Sequence, residues 1–194
     1  VRSTRRAVTW IIELTLVVTA LVGGLGREAS EVPAVTGSAA LQGHLAAALA
    51  LFDEHGLPQP DLAEVRFDSA DPRCEGRYGL YDGTSRSVLL CFDADTMILG
   101  SDETLHRREQ RVLLHELAHA WTETHTGTDQ REQFMGVHGV ERWNDLGDRW
   151  HTRGTEIAAE TFVWVLTDGA NTPRSLASVD ETLLRQGFAV LTDQ

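Results

Sequence analysis

Lysine is missing from this chain of 194 residues: all seventeen basic side chains are arginines, set against twenty-nine acidic residues for a formal net charge of −12. With no surplus of positive charge to displace the counterions of a phosphate backbone, nucleic acid is excluded as an expected partner. Cysteine is almost as scarce, and two residues, Cys74 and Cys91, cannot supply the paired clusters of a zinc ribbon. No carboxylate-rich loop has the spacing of an EF-hand, so calcium is not implied. Internal repeats and low-complexity tracts are lacking too. A content of 42% hydrophobic and 24% charged residues excludes collagen-like, wholly disordered and multi-span membrane chains. What remains is a globular chain long enough for one domain.

The N-terminal residues bear on compartment. Arg2, Arg5 and Arg6 precede an apolar run over residues 7–22 in which Glu13 is the only charge, the pattern of an export signal. The run is a little short of the roughly 20 residues of a membrane span. Glu13 near its middle would cost a span about 2–3 kcal/mol. Residues 1–34 are therefore expected to be a signal peptide, or else a membrane anchor, followed by a linker, with residues 35–194 forming the domain. The protein is expected to be secreted or anchored outside the cytoplasm, with membrane contact only through that segment. The cysteines agree with export. They bracket two β-prone runs around Asp82 and Gly83 that read as a hairpin, whose ends bring the thiols together. A disulfide closing such a loop contributes about 3 kcal/mol in the chain-entropy model and suits an oxidising compartment.

Residues 23–37 lack periodicity and read as linker, with the folded part beginning near Ser38. Leu41, Leu45, Ala48, Leu51 and Phe52 recur at three- and four-residue steps, predicting a helix over 39–55 closed by Gly56 and Pro58. Residues 63–67, 78–81 and 87–92 read as strands of a small, mostly antiparallel sheet. A helix over about 103–121, a loop-rich stretch, and C-terminal helices over about 155–166 and 179–191 complete an α+β order.

Chemistry concentrates in residues 112–121, Val-Leu-Leu-His-Glu-Leu-Ala-His-Ala-Trp. His115 and His119, four apart on a helix, project from one face one turn apart, which makes a two-point metal clamp. Glu116 lies about 100° around the helix, where it flanks a metal and could accept a proton from an activated water. Zinc suits imidazole donors and lowers the pKa of bound water to about 7. A catalytic zinc normally takes a third protein ligand. His125 is one contender; if the helix simply continues, it is turned away from His119 and out of reach. Glu156, on the later helix, is the other. Glu156 and Glu160 are four apart on an otherwise apolar helix, so both carboxylates need partners, and Ala158 and Ala159 permit close helix approach.

The motif and its flanks, Val112, Leu113, Leu117, Ala118, Ala120 and Trp121, resemble the zinc-metallopeptidase superfamily called zincins. The Glu156–Glu160 pair makes the likeness gluzincin-like, in a minimal form, over roughly residues 100–168. That resemblance implies a zincin-like fold, zinc held by His115, His119 and Glu156, Glu116 as general base, and Glu160 orienting a ligating imidazole, most naturally His115. A one-turn slip would exchange Glu156 and Glu160. The stretch between His119 and Glu156 is longer than in thermolysin-like enzymes, which bears on the substrate pocket rather than on ligation. The tetrahedral intermediate of peptide hydrolysis needs an oxyanion donor. His138, His151, Arg153 and Tyr81 are the candidates, and the sequence does not choose among them. Zincins bind peptide or protein substrates along a sheet edge, for which residues 87–92 or 63–67 are the expected strands. The alternative to a zinc peptidase is a non-catalytic zinc-binding module outside the cytoplasm or at the cell envelope.

Overall fold

The computed structural model describes residues 33–36, 39–92, 103–145, 147, 149–171 and 180–194. The run at 7–22 lies outside them, as do most of the expected linker and the first residue of the last expected helix. The described architecture is α+β. Strand β1 (Ala34–Thr36) precedes helix α1 (Ala39–Glu54), followed by β2 (Glu64–Phe67), β3 (Gly79–Asp82) and β4 (Ser87–Leu90). Four helices then follow: α2 (Glu103–His125), α3 (Thr128–His138), α4 (Gly154–Leu166) and α5 (Glu181–Thr192). Among the described residues no helix is long and apolar enough to cross a membrane.

The sheet corrects three expectations. Its order is β1-β2-β4-β3, with β1 and β4 both parallel to β2 and only β3 antiparallel to β4, so the sheet is mixed rather than mostly antiparallel. The hairpin is present, pairing Gly79 with Leu90 and Asp82 with Ser87. Its second strand, however, inserts between β2 and β3. Val88, Leu89 and Leu90 are all buried, the uninterrupted apolar run of an interior strand. Residues 63–67 and 87–92 consequently contain the two central strands, and the edges of the sheet, among the described residues, belong to β1 and β3. Finally, residues 34–36 are strand rather than linker, with Val35 paired to Val65.

Cys74 and Cys91 form a disulfide across the open end of the hairpin. The fourth correction concerns the stretch after Trp121. Helix α2 runs one turn further than expected, and α3 occupies residues expected to be loop. Phe134 is the only fully buried side chain of α3, so no apolar stripe announces it. Its ends do the work instead: the Gln130 side chain accepts from the Gly127 N–H at 2.7 Å, and Gly139 closes the helix at φ 65°.

The core lies between the sheet and the helices. Phe52 of α1, Val65, Val88 and Leu90 of the sheet, Leu113, Leu114 and Leu117 of α2, and Phe162 of α4 are all fully buried. Ala158 and Ala159 are fully buried on α4, which packs extensively on α2. The start of α4 is pinned by the preceding segment, since Gly154 N–H donates to the Arg142 carbonyl at 3.0 Å and Thr155 N–H to that of Trp143 at 2.8 Å. A Cβ on Gly154 would lie 3.0 Å from the Trp143 ring. That anchorage fixes the first turn of α4, which carries Glu156.

Candidate metal centre

Helices α2 and α4 run antiparallel and face each other with polar side chains at matching turns. Arg111 of α2 meets Glu160 of α4, His115 meets both Glu160 and Glu156, and His119 meets Glu156 and Thr155. Each turn down one helix is matched by one turn up the other, as a period of 3.6 residues requires of two stripes four residues apart.

At the centre of this ladder three donor atoms converge. His115 Nε2 and His119 Nε2 are 3.0 Å apart, and Glu156 Oε2 lies 3.1 Å from the first and 3.3 Å from the second. These side chains are between 10% and 13% exposed, so the group is sheltered but reachable. The outward nitrogens have partners of their own. His115 Nδ1 is 3.5 Å from Glu160 Oε1, and His119 Nδ1 is 3.2 Å from the Thr155 hydroxyl. An imidazole whose Nδ1–H faces an oxygen can present its Nε2 lone pair, and in that tautomer both rings would turn lone pairs toward Glu156.

Lone pairs and a carboxylate at such separations repel one another unless a cation shares the space. The charges around the site say the same. Burial alone would push the His115 imidazole down, but the Glu156 and Glu160 carboxylates outweigh it and raise it well above the ordinary range. For Glu156 burial acts upward, and the two imidazoles overcome it and hold the carboxyl well below its usual value. The arrangement stabilises one positive charge at its centre, which a metal ion can supply. The donor separations fit: in a tetrahedral zinc site with bonds of 2.0–2.1 Å, neighbouring donors stand about 3.3 Å apart. His115, His119 and Glu156 could thus hold a metal ion. The donor set of two imidazoles and one carboxylate suits zinc, and other transition metals that accept nitrogen and oxygen.

Glu116 lies on the adjoining face of α2, buried against β3. It accepts a hydrogen bond from the Tyr81 backbone, and desolvation raises its carboxyl above the ordinary range. Gly79 makes the fit, since a Cβ there would lie 2.6 Å from Glu116 Oε1 and 2.8 Å from a Val112 methyl. On the opposite side the indole of Trp150, 46% exposed, stacks on the His115 ring at 5.7 Å and 26°.

The remaining candidates are placed as follows. Glu160 stands beside His115 Nδ1 and is held by Arg111 at 2.5 Å. Tyr81 hydrogen-bonds Glu123; burial, together with that carboxylate, pushes its phenol up to about 12. His151 is exposed in the turn Trp150–Thr152, next to the indole that covers His115. Arg153 is half-buried at the start of α4. His138 packs between α3 and α5, on Phe134 at 4.4 Å and against Gly187. Burial there lowers its imidazole. His125, at the end of the extended α2, stacks on Trp121 at 4.9 Å with its Nδ1 3.1 Å from the Trp121 carbonyl. Arg111, Thr155, Trp150 and Gly79 were not singled out from the sequence. The one available signal was the four-residue step from Arg111 to His115 to His119. No protein-family model, curated protein or solved structure matches this chain.

Proposed function

We propose that this chain is a zinc-dependent metallopeptidase of the gluzincin type that hydrolyses peptide bonds outside the cytoplasm. The observation that supports the reading best is the meeting, in one sheltered place, of a His-His-Glu donor triangle with a separate buried carboxylate. Zinc held by His115, His119 and Glu156 would supply Lewis acidity and a water made acidic near neutral pH. Glu116 has the role of proton acceptor and donor. It is not one of the three converging donors, and a carboxyl raised by burial is better suited to taking up and returning a proton than one at its ordinary value. Tyr81 and Gly79 hold it there, one through its backbone and the other by lacking a side chain.

Substrate would lie along β3, which passes directly over Glu116 and is an edge of the described sheet. An extended peptide adding to that edge would be bound through its backbone, with side chains free to set preference. The disulfide supports an oxidising location. Glu116→Gln is the direct test. It should keep the zinc of the wild-type protein and lose nearly all cleavage of a diverse peptide library. Unchanged cleavage would rule out this mechanism. A second reading, a non-catalytic zinc-binding module, draws on Tyr81 and His138. The Tyr81 hydroxyl is engaged by Glu123, and His138 is packed on Phe134, so neither is presented as an oxyanion donor. Full zinc occupancy with no cleavage by the wild-type chain would favour it.

A further inference from the structure

We infer that Arg111 is a positioning residue of the metal centre, acting through Glu160 to hold the His115 imidazole with its Nε2 turned inward. The inference rests on the metal-site reading above and adds to it a residue one rung away from the three donors. Arg111 Nη2 and His115 Nδ1 both address the same atom, Glu160 Oε1, at 2.5 and 3.5 Å. Glu160's other oxygen is buried without a hydrogen-bond partner, as is Arg111 Nε. All the polar anchorage of this carboxylate therefore passes through Oε1. The Glu160 side chain is 3% exposed and that of Arg111 33%. Water thus reaches the guanidinium but scarcely the carboxylate, and a carboxylate in that position needs a fixed cation.

The 3.5 Å spacing to His115 is long for a hydrogen bond, so His115 alone would not hold Glu160 in place. Arg111 does so from the same helix face as His115, one turn earlier, which ties the ligand and its orienting carboxylate to a common rigid element. Without Arg111 the carboxylate is free to leave Nδ1, and the ring loses the contact that selects its tautomer and angle. Removing a partner of this kind typically weakens metal binding by about 10–100-fold.

The test is zinc affinity, measured on the full chain by competition with a chromophoric chelator. Arg111→Ala should weaken zinc binding by about 10–100-fold. Arg111→Lys, which restores the charge without the planar fork, should recover part of that loss. Glu160→Ala should match Arg111→Ala, and the double variant should bind no more weakly than Glu160→Ala alone, because both changes cut one chain of contacts. Wild-type affinity in Arg111→Ala, or losses that multiply in the double variant, would overturn the inference. Should Arg111→Ala fail to fold, Arg111→Lys loaded with cobalt supplies the readout: a shifted visible spectrum is expected, and an unchanged spectrum with unchanged affinity overturns it. A wild-type chain that binds no zinc would instead overturn the metal site itself.

Discussion

Glu116 owes its position to a side chain that is not there. The β3 backbone comes so close to α2 at Gly79 that one added methyl would meet both the carboxylate and Val112. Gly79→Ala should therefore leave zinc content intact, because His115, His119 and Glu156 are untouched, while displacing the proposed proton-transfer group. A misplacement of about 1 Å can cost on the order of 100-fold in rate. A fall of at least about tenfold in kcat/KM is expected, and wild-type kcat/KM would show that Glu116 does not depend on this contact. At this scale the sequence is readable wherever helical period alone decides. Four residues return to the same face, so the shared faces of His115 with His119 and of Glu156 with Glu160 follow from spacing. That Arg111 meets Glu160, that Thr155 meets His119 and that Trp150 covers His115 follow instead from how two helices cross. No local pattern encodes that crossing.

The elements repeat the lesson. Helix α1 and the hairpin are legible because an apolar stripe and a turn signal mark them. Helix α3 is not, because its evidence is a capping glutamine and a closing glycine around a mostly polar segment. The sheet was misread for a different reason: three short strands in sequence suggest a meander, yet β4 inserts between β2 and β3. The apolar run Val88-Leu89-Leu90 was the available clue that this strand is interior. Between β2 and β3 the chain carries Cys74, and the disulfide to Cys91, at a sequence separation of 17, closes a loop that includes the whole hairpin. Replacing both cysteines by serine should lower unfolding stability by about 3 kcal/mol in the chain-entropy model, read from denaturant midpoints. An unchanged midpoint would mean that the hairpin is held by its packing on α2 alone.

For the molecule as a whole, the centre joins parts distant in the chain. Two of the converging donors come from α2 and the third from α4, and the long intervening stretch folds as α3 and the Trp143 segment to pin the start of α4. The extension of α2 to His125 matters here, since it carries that histidine round the helix away from His119 and onto Trp121, one turn earlier. His125 is thereby kept out of the donor group, in which Glu156 stands with His115 and His119. The most direct check is the zinc content of purified protein, measured per chain after exhaustive dialysis for wild type, Glu156→Ala and His125→Ala. One zinc per chain in the wild type and in His125→Ala, with none retained by Glu156→Ala, is the predicted result. Stoichiometric zinc in Glu156→Ala, or none in the wild type, would contradict it.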